Sequence, residues 1–280
     1  MYVITENKRY IMITSTGNDR VRRVVTLVQK SKARRDEQVF IIEGMKMLRE
    51  APVLQVDEVF VTEKFVDTAS EEDKEILWRY GAETVSEEVL KKMSDTQTPQ
   101  GVLAVIKQYE YSMDEVIEGY NQEADKDAAP LLLVLENIQD PGNLGTMLRS
   151  GEGAGVTGVI MGKGCADIYN PKVIRSTMGS IFRMPFIYVE SVPEVVRNLK
   201  ERGIRTYAAH LKGKKNYDEF DYTGPTAFLI GNEGKGLTDE TAKEASEYVL
   251  IPMKGEVESM NAATSSAILT FEASRQRRGR

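Results

Sequence analysis

Apolar residues recur along this chain in two different ways, and the change falls near its middle. In the first part they come in short runs between charged, helix-patterned stretches. Asp19 to Lys32 predicts a helix with Val21, Val24, Val25 and Val28 on one face and arginines and lysines around it. Val39 to Glu43, Val56 to Thr62, Thr84 to Val85 and Gly101 to Ile106 predict strands. Helices are expected through Met47 and Leu48, from Lys74 to Tyr80, and after Ser86, which is placed to cap the last of them. Strand and helix in alternation predict a compact α/β sandwich over residues 1–108.

After Pro130 the apolar runs become continuous, as in strands buried on both faces of a parallel sheet. They cover Leu131 to Leu135, Gly158 to Met161, Ala227 to Ile230 and Tyr248 to Ile251. Helical patterns separate them at Leu144 to Gly153, Pro171 to Ser176, Val192 to Arg202 and Asn261 to Gln276. Residues 130–280 therefore read as a second α/β domain with a mostly parallel sheet. Residues 109–129 between the two have the composition of an acidic linker.

Charge sharpens this division. The net charge is −6, yet Arg20, Arg22, Arg23, Lys30, Lys32, Arg34 and Arg35 form a run that contains no acid. A basic run on an acidic protein predicts contact with a polyanion. A solvated helix face is the plainer reading of such a run. The single cysteine, Cys165, and single histidine, His210, cannot supply the ligands of a zinc site, so no metal is expected. No apolar run is long enough to span a membrane, and no secretion signal is evident, which points to the cytoplasm.

Nucleotide-binding motifs fail on context. Gly153, Gly155 and Gly158 satisfy G-x-G-x-x-G, but the pattern follows a helix and opens a strand, the reverse of what a dinucleotide site needs. Three other segments stand out: Glu136 to Gly145 reaching Arg149, Leu229 to Leu237, and Ile251 to Gly255 followed by Ser259-Met260-Asn261. Each puts a polar or glycine-rich loop at the carboxyl end of an expected strand, where parallel sheets hold their ligands. Asn143 is a candidate N-cap for a helix beginning near Leu144.

These segments resemble the three motifs of the SpoU (TrmH) family of RNA ribose methyltransferases, in the SPOUT superfamily. The first resembles N-x-x-D-P-x-N-x-G-x-x-x-R through Asn137, Asp140, Pro141, Asn143, Gly145 and Arg149. The second is similar to G-N-E-G-x-G-L, and the third to I-P-M-x-G followed by S-x-N. The stretch Asp167 to Gly179 also resembles a family segment, and Val39 to Gly44 resembles the family's L30e-like substrate-binding domain. The resemblance implies an L30e-like sandwich followed by a SPOUT domain with a C-terminal trefoil knot, acting as a homodimer through that domain. It implies S-adenosylmethionine as cofactor, held around Leu229, Ile230, Gly231, Asn232, Gly234, Ile251, Met253, Met260, Asn261 and Ala263. It implies catalytic roles for Asn143, Arg149, Glu233, Ser259 and Asn261. The implied reaction is 2′-O-methylation of a ribose in RNA, with 23S ribosomal RNA favoured. Transfer RNA, or a non-catalytic RNA-binding role, is the alternative. The third motif departs from the family at Met260, Ala262 and Ala263, where leucine, valine and serine are usual.

Overall fold

The computed structural model describes residues 12–119 and 129–278. Residues 1–11, much of the expected acidic linker and Arg280 lie outside them. The chain forms two compact units, one of residues 1–108 with 169–171, the other of residues 109–168 with 172–280.

Unit 1 is built on a four-stranded sheet in the order β1-β4-β2-β3: β1 (Val39–Glu43), β2 (Val56–Thr62), β3 (Glu83–Val85) and β4 (Val102–Lys107). The strand β4 pairs antiparallel with β1 and β2, and β2 pairs parallel with β3. Ser86 caps the helix Glu87–Met93, accepting a hydrogen bond from Val89 N. The helix Asp19–Gln29 buries Val21, Val24 and Leu27 against Val39, Ile41, Phe60 and Leu103. Val25 and Val28, expected on that face, are only half-buried because the buried stripe turns through Leu27. The helix stops at Gln29, short of the expected Lys32, and a second helix runs Ser31–Glu37. The last carbonyls of a helix lack partners within it; here Arg34 supplies one, donating to Leu27 O at 2.7 Å and Val28 O at 3.2 Å.

Unit 2 carries a seven-stranded sheet in the order β7-β6-β5-β10-β8-β11-β9, with every strand pairing parallel. Its strands are β5 (Leu131–Leu135), β6 (Gly158–Gly162), β7 (Phe186–Val189), β8 (Arg205–Ala209), β9 (Lys215–Asn216), β10 (Thr226–Ile230) and β11 (Glu247–Leu250). The mixed α/β class and mostly parallel sheet expected from the apolar runs are the ones observed. The chain leaves β5 toward β6 and β7, crosses to β8 and β9 on the other side, and then lays β10 between β5 and β8. The loops after β5 and β10 therefore open a crevice where the strand order reverses, the usual ligand position in such sheets.

The acidic segment is not wholly a connector. Met113–Glu118 is a helix with a capping box between Ser112 and Glu115, and it buries Val116 and Ile117 in the core of unit 2. Gly158 lets it approach, since a Cβ there would fall 2.1 Å from Val116 O. The acids Asp114, Glu115 and Glu118 give this stretch the composition of a linker, but only one face of a helix need be apolar to dock it.

Candidate active site

The first loop follows β5. Buried Glu136 accepts hydrogen bonds from Thr238 N at 2.7 Å and Thr238 Oγ1 at 3.0 Å, which ties the loop after β10 to the end of β5. The helix Pro141–Ala154 then begins earlier than expected. Asp140, not Asn143, is its N-cap, accepting from Asn143 N at 2.8 Å. Proline suits the first helical position because it has no N–H to leave unpaired. Released from capping, the Asn143 side chain points across the crevice.

There it joins the other two loops. Asn143 Nδ2 donates to Glu233 Oε1 at 3.1 Å, and Asn261 Nδ2 donates to Asn143 Oδ1 at 2.9 Å. Glu233 also accepts from Asp140 N at 3.0 Å and Gln139 N at 3.3 Å. Partial burial works against its charge, but the Asn143 and backbone hydrogen bonds prevail and hold its carboxyl below the usual range. Asn261 is the N-cap of the helix Ala262–Arg277, accepting from Ala263 N and Thr264 N, so it caps and links at once.

The loop after β10 is closed on itself. Asn232 and Gly236 exchange backbone hydrogen bonds of 3.0 and 2.9 Å, and Asn232 Nδ2 donates to Asn137 O at 2.8 Å. Gly231 has to be glycine, because a Cβ would lie 2.1 Å from both Gly236 C and Leu237 N. A cavity of about 310 Å³ lies between this loop and residues 251–260. Ile230, Gly231, Asn232, Gly234, Ile251, Met253 and Met260, all candidates for cofactor contact, line it, and so do Glu233 and Ser259. Leu229 and Ala263, expected with them, do not line it; they are buried, at 0 % and 3 % exposure. Leu229 faces inward because its neighbour in the alternating strand, Ile230, takes the position toward the cavity. Asn261 is committed to Asn143 and its own helix rather than to the cavity. His210, for which the sequence suggests no role, also lines it, stacked on Tyr248 with ring centroids 4.8 Å apart. Its one signal in the sequence is its place just past the end of β8.

Gly145 lets the first-motif helix settle on the next one: a Cβ there would come within 2.5 Å of Ser176 Cβ and 2.6 Å of Val173 O. Arg149, one turn further along, is exposed and has no hydrogen bond or ion pair among the described residues. Ser259 likewise makes none.

The basic run on unit 1 is largely spoken for. Arg20 Nε donates to Glu58 Oε2 at 3.0 Å, and Arg20 also pairs with Glu83. Arg23 Nε donates to Glu37 Oε2 at 2.6 Å, and Arg23 also pairs with Glu58. Burial opposes both charges, but the carboxylates outweigh it and raise both guanidiniums above their ordinary value. Arg34 is 3 % exposed. Burial takes Arg34 away from any polyanion, while acids distant in sequence engage the donors of Arg20 and Arg23 in structural ion pairs. Arg22, Lys30, Lys32 and Arg35 stay exposed.

Among the described residues no three His, Cys, Asp or Glu side chains cluster as metal ligands, and no helix is long and apolar enough to cross a membrane. Residues 130–271 match the SpoU rRNA Methylase family, and residues 18–104 match the MRM3-like substrate binding domain. The 23S rRNA (guanosine(2553)-2'-O)-methyltransferase RlmP of Bacillus subtilis is 31% identical over 262 residues, spanning 92% of this chain and 97% of that protein. A crystal structure of an RNA 2'-O ribose methyltransferase is similar at a TM-score of 0.79 and 31% identity, covering 95% of this chain and 99% of its own. The AdoMet-bound rRNA methyltransferase of Sinorhizobium meliloti is similar at 0.80 and 28%, covering 94% and 97%.

Proposed function

The chain belongs to the SpoU rRNA methylase family, and from that membership we propose that it methylates a ribose 2′-hydroxyl of ribosomal RNA, 23S RNA foremost, using S-adenosylmethionine. The observation that carries this reading is the Glu233–Asn143–Asn261 chain of hydrogen bonds. It fastens together the loops after β5, β10 and β11, at the crevice where the strand order reverses and beside the cavity that the 231–237 loop lines. The residues present fit the cofactor: the cavity offers apolar walls at Leu237, Ile251 and Met260 beside the polar, glycine-rich 231–236 loop.

When bound there, S-adenosylmethionine supplies an electrophilic methyl carbon. The chain's own residues do the rest. Arg149 would hold the ribose and stabilise negative charge developing on its O2′ as the hydroxyl proton leaves to water. A guanidinium does not give up a proton in proteins, so Arg149 is not the base itself. Asn143 would present its amide to the ribose from a position fixed on both sides, and Ser259 would seat the substrate at the cavity mouth. Arg22, Lys30, Lys32 and Arg35 of unit 1 remain as phosphate contacts. The same reading has the chain act in the cytoplasm as a homodimer through unit 2, with a C-terminal trefoil knot.

Methyl-labelled cofactor, incubated with the protein and either ribosomal or transfer RNA and followed by digestion to nucleosides, tests the proposal. Label on the ribose of one ribosomal nucleoside is expected. Label on a base, or none, overturns the reaction; label in transfer RNA alone overturns the substrate.

A further inference from the structure

Met178 is unfavourable on two counts. Its φ is +50°, a left-handed conformation that a residue bearing a Cβ adopts at a cost. Its side chain is 40 % exposed, so burial does not offset that cost. The turn cannot relax around it. Thr177 is fully buried and donates to Ile174 O at 2.7 Å, and Ser180 is buried just beyond Gly179, whose φ is +98°. Residues held in such conformations gather where a fold is used for binding or catalysis.

Its position gives the conformation a purpose. The helix Pro141–Ala154 touches Ser176 at Gly145. Further along the same helix, Glu152 accepts a hydrogen bond from Arg183 at 3.2 Å. Residues 145–152 and 176–183 therefore run side by side, and Met178 falls alongside the stretch from which Arg149 projects. Arg149 has no intramolecular partner among the described residues. An exposed thioether and an uncommitted guanidinium thus share one patch.

We propose that Met178 is a substrate contact, the apolar bed for the base of the RNA nucleotide that Arg149 holds. The inference rests on the methyltransferase reading above. A polarizable thioether packs well on an aromatic face, and every nucleobase offers one. The adjacent unpaired cation selects a polyanion as the occupant. The left-handed backbone presents the side chain outward, where a right-handed one would lay it along the helix Pro171–Thr177.

Two variants test this, each assayed for methyl transfer to ribosomal RNA and, separately, for equilibrium binding of that RNA without cofactor. Met178→Gly suits the backbone conformation and folds at least as stably as the parent. It is expected to raise the KM and Kd for RNA about tenfold, with kcat and cofactor affinity near the parent's. Met178→Leu keeps the apolar bulk and restores most of the RNA affinity. Parental RNA affinity in Met178→Gly overturns the inference. If that variant also becomes monomeric where the parent is a dimer, Met178 belongs to a contact between copies instead. A parent that binds ribosomal RNA but transfers no methyl group contradicts the methyltransferase reading, while weakened binding by Met178→Gly still upholds the contact.

Discussion

On the helix Asp19–Gln29 of unit 1, Arg20 and Arg23 are met by carboxylates from Glu37, Glu58 and Glu83. On the helix Pro141–Ala154 of unit 2, Arg149 projects into solvent with no partner among the described residues. The seven-cation run looks like the stronger polyanion site, and Arg149 looks like one arginine among many. Space reverses the ranking. A guanidinium held by two carboxylates has its donors engaged and its charge balanced, so it contributes to the fold. A guanidinium left unpaired on a rigid helix keeps its donors for a ligand. Local charge density is a weaker sign of function than the absence of a partner.

The contrast breaks most completely at Gly231. Gly231→Val places a side chain where even a Cβ has no room, so the closed loop has to open. Calorimetry should show S-adenosylmethionine affinity falling by on the order of 100-fold, about 2.7 kcal/mol. Unit 1 should still bind RNA. Unchanged cofactor affinity would move the cofactor away from this cavity.

A smaller effect is expected at the link between loops. Asn143→Ala removes both of its side-chain hydrogen bonds and leaves Glu233 with the Gln139 and Asp140 amides and the Asn232 side chain. The methylation rate should fall about tenfold, the scale of one or two missing hydrogen bonds. The pH dependence has a definite sign. The Glu233 carboxyl titrates below its ordinary value in the fold, so its contribution to stability is complete above the unfolded-state pKa of roughly 4.3. That contribution is lost as pH falls through the lower folded value. Melting curves of Glu233→Gln should converge on the parent's as the solution is acidified; a constant gap would remove the carboxylate from the link.

The smallest effect concerns the cations that unit 1 leaves exposed. Replacing Arg22 and Lys32 with alanine should weaken RNA binding a few-fold. The slope of log affinity against log salt should become shallower by about 0.7 to 0.9 for each phosphate no longer neutralised. An unaltered slope would place the RNA surface of unit 1 elsewhere.

What can be read in the sequence follows the range of the interactions. The strands Val39–Glu43, Val56–Thr62 and Leu131–Leu135 are residue for residue where the apolar runs put them, because burial pattern and strand are the same local fact. Asn143, Glu233 and Asn261 stand out through motif resemblance, and the structure brings them together; their mutual hydrogen bonds span about a hundred residues and leave no local trace. The start of the helix at Pro141 is hard to place because Pro-Gly is both a turn signal and a helix opening. The helix Met113–Glu118 is legible in its Ser112/Glu115 capping box but hidden by its acids. The strand Phe186–Val189 escapes notice, being four residues behind a proline with one exposed tyrosine in it. The partners of Arg20 and Arg23 lie on other elements, so no window along the chain can find them.

The central claim is that Arg149 works on substrate while Arg23 works on the fold. One paired measurement tests it: single-turnover methylation rates and melting temperatures of Arg149→Ala and Arg23→Ala, taken on the same preparations. The account predicts a crossed result. Arg149→Ala should lose ~10²-fold or more in rate, as removal of one oxyanion-stabilising donor does, with its melting temperature and cofactor affinity near the parent's. Arg23→Ala should keep its rate per folded molecule and lose about 1 kcal/mol of stability, a few degrees in Tm. A folded, cofactor-binding Arg149→Ala protein with a near-normal rate, or an Arg23→Ala protein that is slow but undiminished in Tm, would contradict it.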